Sequence, residues 1–208
     1  MAFDDPGTRM ALDLGAFMAA PSSLLDPACA IDADLLALLP DQGPMAHLRE
    51  GLLRDRIDPA SHPLCTDFLA RLASRPHYRL ALTLALLPPP RLHDLRRHLA
   101  AVINQDRLRA AVLKSDRQAF VLAFGADAVQ AGLEQAGFFA PHLARLARSD
   151  LQIDALLHHA GGLIIALVQA EDALAARILE LRLQGFLRID APDEALGGVL
   201  WRQIGDWL

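Results

Sequence analysis

Residues 91–147 read RLHDLRRHLAAVINQDRLRAAVLKSDRQAFVLAFGADAVQAGLEQAGFFAPHLARLA. Apolar residues recur there three and four apart: Leu92, Leu95, Leu99, Val102 and Ile103; then Leu108, Val112 and Leu113; then Phe120, Val121 and Phe124; then Val129 and Leu133. That spacing lines one face of an α-helix, so each run predicts a helix burying one stripe. Asn104, Ser115, Gly125 and Gly137 break the runs. Four or five short helices laid end to end are expected. The sharpest junction is Gly125-Ala126-Asp127-Ala128, read as a glycine closing one helix and Asp127 opening the next at the favourable end of its dipole. Phe124 and Val129 should then both be buried around the turn.

Outward from this stretch the same pattern holds, and the expected fold class is all-α, a compact multi-helix domain of short packed helices. Apolar residues make up 53% of the 208 positions and aromatics only 5%, so the core must be built mainly from Leu, Ala, Val and Ile. Arg outnumbers Lys nineteen to one, Lys114 being the single lysine. A preference for guanidinium pairing would produce that ratio; mutational bias in a GC-rich bacterial genome is the preferred reading. Cys29 and Cys65 are far apart and read as small buried hydrophobes of a reducing compartment.

Residues 1–60 form an acidic, proline-broken helical region, with ten Asp and Glu against four Arg. Thr8 to Ala20, Asp32 to Leu39 and Pro44 to Arg54 read as its helices. Residues 61–208 are expected to form the main helical domain. SHPLCTDFLARLASR (61–75) places Leu64, Phe68, Leu69 and Leu72 on one face. HYRLALTLALL (77–87) is apolar on nearly every side and marks a central helix. Pro88-Pro89-Pro90 ends it and is a plausible boundary between sub-regions. Ser149 and Asp150 read as a cap for a helix from Leu151 to about Ala170. Gly161 and Gly162 in its middle cost about 2 kcal/mol relative to alanine, which implies close approach of another element or a kink. Glu171-Asp172 opens a helix to Leu183, Gly185 to Ile189 reads as a short extended piece, and Glu194 to Leu208 as a terminal helix.

The longest apolar run, Ala160 to Val168, has nine residues. A bilayer needs about twenty. The N-terminus, MAFDDPGTRM, lacks the basic-then-apolar order of a signal peptide. A cytoplasmic protein is expected, without membrane insertion. A net charge of −5 argues against a generic nucleic-acid partner. Residues 91–117 are the exception, with seven basic residues against three acidic ones. Arg91, Arg96, Arg97, Arg107 and Arg109 are the candidate partner-binding residues of that stretch, an electrostatic face for an acidic protein. The alternative is a solvated helix face with local pairs such as Asp94–Arg97 and Asp106–Arg109.

Catalytic signatures are absent: no GxGxxG, P-loop, HExxH, CxxC or GxSxG occurs. Asp154 and His158 stand four apart beside His159, a spacing that could share a metal and more often serves structure. His47 and Glu50 are one turn apart, without the further inward carboxylates of a di-metal bundle. No catalytic residue, cofactor or metal is therefore expected. A helical ligand-responsive transcription regulator and a small metal-dependent helical enzyme are two readings kept open. The first would put a basic helix-turn-helix where this chain is acidic.

Residues 80–185 resemble the SctK (YscK-like) family, a cytosolic adaptor of the bacterial type III secretion sorting platform. The resemblance rests on the leucine-rich Leu82 to Leu87, on Leu95-Arg96-Arg97, on Val121 to Val129 running to Leu133, on Gly161-Gly162-Leu163, and on the alternation from Arg177 to Leu183. It implies a non-enzymatic adaptor linking the cytoplasmic face of the membrane ring to the cytosolic pod, with secretion ring and pod proteins as partners. It also implies a place peripheral to the inner membrane, held there through a protein partner.

Overall fold

Helix ends in this chain fall where the apolar stripes are interrupted. The computed structural model describes residues 6–24, 46–57, 68–111, 114–134, 140–183 and 185–208. In order these form α1 Pro6–Ala19, a 3-10 turn Pro21–Ser23, α2 Ala46–Ile57, α3 Phe68–Ser74, α4 Pro76–Leu86, α5 Pro89–Ile103, α6 Gln105–Ala110, α7 Lys114–Phe124 and α8 Ala126–Glu134. They continue with α9 Ala140–Leu143, a 3-10 turn Ala144–Leu146, α10 Ile153–Gln169, α11 Ala173–Arg182 and α12 Glu194–Trp207. No strand occurs among the described residues, and the fold is all-α. The helix expected at Asp32 to Leu39, the cysteines Cys29 and Cys65, Leu64 and the Gly137 turn lie outside the described residues.

Contacts divide the chain into two compact units, Met1–Pro89 with Val168–Gln184, and Pro90–Leu167 with Gly185–Leu208. The junction drawn at residue 60 from composition falls outside the described residues. The units part at the proline triplet, and the segment with α11 returns to the first unit. The triplet does more than stop α4. Leu87 ends that helix, and Pro89 and Pro90 open α5. A ring that fixes φ and lacks an N–H is tolerated at a first turn, where the amide has no intrahelical partner.

In the first unit α4 is the central helix, as its all-round apolarity predicts: Tyr78, Ala81, Leu82, Leu84 and Ala85 are buried. α1, α3 and α11 pack on it. Leu14 and Phe17 of α1, and Leu174, Ile178 and Leu179 of α11, complete the core with Leu53 and Ile57 of α2. Three arginines fasten the helix ends of this unit. Arg54 donates from Nε to Met18 O at 2.9 Å and from Nη2 to Ala19 O at 3.2 Å, the last carbonyls of α1. Arg177 donates to Arg56 O at 3.1 Å, near the end of α2. Arg182 donates to Ala85 O and Leu87 O at the end of α4. The last four carbonyls of a helix have no partner within it and carry the negative end of its dipole, so a forked cation suits them. Glu50 of α2 accepts from the backbone N–H of Ser22 at 3.1 Å and from its hydroxyl, tying the 3-10 turn to α2.

In the second unit α5 buries Leu92, Leu95, Leu99, Val102 and Ile103, the stripe read from the sequence. Gly125 has φ +88°, a conformation that L side chains rarely adopt. Phe124 and Val129 are buried on either side of it, as the junction requires. α10 begins at Ile153 rather than Leu151. Asp150 does not serve as its cap: both carboxylate oxygens accept from Arg148, at 2.8 and 2.7 Å. Asp172 caps α11 and Asp193 caps α12, accepting from Ala175 N and Leu196 N at 2.7 and 2.8 Å.

The glycine pair of α10 admits another piece of chain. A Cβ at position 162 would stand 1.9 Å from Leu187 O, and one at 161 would stand 3.3 Å from Arg96 Nε. Side chains on a helix lean toward its N-terminus and cover the turn before them. Without them, the carbonyls of Leu157 and His158 lie open from outside. Arg96 Nε donates to Leu157 O at 2.7 Å, and Leu187 N donates to His158 O at 3.0 Å. Residues 185–189, read from the sequence as a short extended piece, cross this window as a strap that is neither helix nor sheet strand.

Candidate protein-binding surface

The five arginines expected to form one basic face have two different environments. Arg96 is 8% exposed, and beyond Leu157 it donates from Nη2 to Gly185 O at 3.3 Å. Its helical position foretells this: it stands four after Leu92 and three before Leu99, on the buried stripe. Burial lowers its pKa from the ordinary arginine value. Arg107 is half-buried; it donates to Arg148 O and Leu151 O at 3.3 and 2.9 Å and lies over the Phe120 ring at 6.0 Å. These two guanidiniums hold the second unit together and do not belong to an exposed face.

Arg91, Arg97 and Arg109 are exposed. Arg97 lies 3.5 Å from Asp94, the local pair the sequence suggests. Such exposed pairs contribute less than about 1 kcal/mol, so Arg97 stays available to a partner. With Arg96 and Arg107 set aside, residues 91–117 carry five basic residues against three acidic ones. The positive face is smaller than composition alone suggests. Apolar side chains also face solvent, which composition does not signal: Leu48 and Leu52 on α2, and Leu122 on α7 at 80% exposure.

The histidine readings resolve separately. Asp154 and His158 are exposed while His159 turns into the core, and among the described residues no group of three His, Cys, Asp or Glu could hold a metal. His47 is exposed and Glu50 is engaged with Ser22. His159 is 4% exposed, and its Nδ1 has no hydrogen-bond partner among the described residues. Burial first, and Arg148 second, lower its pKa, while Asp150 pulls the other way. The unfolded chain therefore takes up this proton at a higher pH than the folded chain. Stability from this group is intact above the ordinary value of 6.5 and falls as pH drops through it. Denaturation midpoints should decline from pH 7 to 5, and His159→Gln should flatten that decline. An unchanged slope in His159→Gln would contradict the assignment.

The geometry defines an all-α protein of two units, with arginine-fastened helix ends in the first. Comparison with protein-family models, curated proteins and solved structures finds no match to the chain. No helix among the described residues is long and apolar enough to cross a membrane.

Proposed function

We propose that this chain is a non-enzymatic cytosolic adaptor of a type III secretion sorting platform, linking the membrane ring's cytoplasmic face to the cytosolic pod. The observation that carries the reading is the resemblance of residues 80–185 to the SctK family, at Leu95-Arg96-Arg97, at Val121 to Val129 and at Gly161-Gly162-Leu163. The exposed Arg91, Arg97 and Arg109 and the exposed leucines of α2 and α7 support it, since an adaptor needs helical faces for more than one protein. Rim charges act on association rate and partner choice, so the arginines would steer an acidic partner.

The test is affinity purification from the native cell with wild-type protein and with Arg91→Glu, Arg97→Glu and Arg109→Glu combined. All three side chains are exposed, so circular dichroism should be unchanged. Ring or pod proteins should accompany the wild type and be depleted at least about fivefold in the variant. Equal recovery would remove the arginines from the interface, and recovery of nucleic acid in place of protein would remove the adaptor reading.

A further inference from the structure

The strap over α10 is held mainly by its backbone. Leu187 N donates to His158 O, Gly185 O accepts from Arg96, and Leu187 O occupies the space a side chain at position 162 would fill. Its side chains contribute less. Phe186, Leu187 and Ile189 are only half-buried and Arg188 and Asp190 are exposed, whereas α10 beneath is buried from His159 through Val168. A segment with few buried apolar atoms belongs to the low-stability end of a fold. Recognition through the main chain also depends little on the sequence recognised.

We propose that the Gly161–Gly162 face of α10 is a peptide-docking notch, filled in cis by residues 185–189, which a non-helical segment of a partner protein takes by displacing the strap. The notch sets the chemistry of its occupant. A carbonyl must meet the Arg96 guanidinium, and an N–H two residues later must meet His158 O. A backbone oxygen must rest on Gly162, and flanking apolar side chains must lie where Phe186 and Ile189 lie. The inference stands apart from the adaptor reading, since it rests only on this geometry. A tethered segment competes at an effective concentration on the order of millimolar, so the intact protein rejects weak peptides.

The probe is a fluorescent peptide copying residues 185–192, GFLRIDAP, titrated into the full-length chain. Leu187→Pro removes the strap's donor and leaves α10 intact. Gly162→Ala places a methyl in the floor of the notch. Binding to Leu187→Pro should be saturable and at least about tenfold tighter than to wild type, with none to folded Gly162→Ala. Equal binding by all three, or none by folded Leu187→Pro, overturns the proposal. Should Leu187→Pro not fold, amide exchange of the wild type decides. The Leu187 amide should exchange at least about a hundredfold faster than those of Ile164 to Val168. A common rate would mean that the strap opens only when the whole unit does, and would overturn the proposal.

Discussion

Gly162→Ala should destabilise the protein by about 2 kcal/mol, although alanine is the better helix former by about 1 kcal/mol. The opposing effect is steric. The new Cβ would lie 1.9 Å from Leu187 O and 3.0 Å from Leu187 C, and both are backbone atoms that cannot swing aside. Either the strap leaves α10, losing the Leu187 N–His158 O bond, or the helix distorts. Two neighbouring substitutions separate this from a general dislike of alanine. Gly161→Ala meets Arg96 Nε at 3.3 Å, a side-chain atom with some freedom to give, so its cost should largely cancel against helix propensity. Gly198→Ala in α12 meets nothing within 4 Å and should stabilise by up to about 1 kcal/mol. Urea denaturation of the three variants checks the order: 198 above wild type, 161 near it, 162 well below. A neutral Gly162→Ala would show that the strap does not bear on α10.

Arg182→Met is the second large effect. The side chain is 7% exposed and its fork satisfies Ala85 O and Leu87 O. Burial lowers its pKa to about 10, so it enters the core as a cation. Methionine keeps much of the stem volume and removes every donor. A buried acceptor left without a partner costs about 1–3 kcal/mol, and relief from burying the cation returns part of it. A net loss of about 2–3 kcal/mol follows, read as a lower urea midpoint. Arg182→Lys should fall between, because one ammonium cannot span both carbonyls in the geometry of a fork. A methionine variant as stable as wild type would mean that the end of α4 is solvated without the guanidinium.

The class of fold was legible because its signal is local. Apolar stripes in α4, α5, α11 and α12 recur at helical spacing, and glycine, proline and capping aspartates mark the ends of several of them. The candidate surface was legible only in part. A charged side chain reads as exposed by default, and Arg96 and Arg182 defeat that rule. Each stands on a buried stripe, Arg96 between Leu92 and Leu99, Arg182 four after Ile178 and three after Leu179, so the periodicity held the warning. Their acceptors were not readable, since Leu157 O is 61 positions from Arg96 and Ala85 O is 97 from Arg182. The abundance of arginine looks different too. Composition favours mutational bias, yet five guanidiniums, at Arg54, Arg96, Arg107, Arg177 and Arg182, reach backbone carbonyls of other segments. A lysine, with no fork, could not replace most of them.

The adjacent pair Arg96-Arg97 condenses the account, with one arginine inside the fold and the other facing solvent. Equilibrium urea denaturation of Arg96→Met beside Arg97→Glu tests this most directly. The account predicts a loss of about 2 kcal/mol or more for Arg96→Met, because the two charge-assisted hydrogen bonds to Leu157 O and Gly185 O are lost. It predicts a change within about 0.5 kcal/mol for Arg97→Glu. Similar stability in both variants, or the larger loss at Arg97, would contradict it.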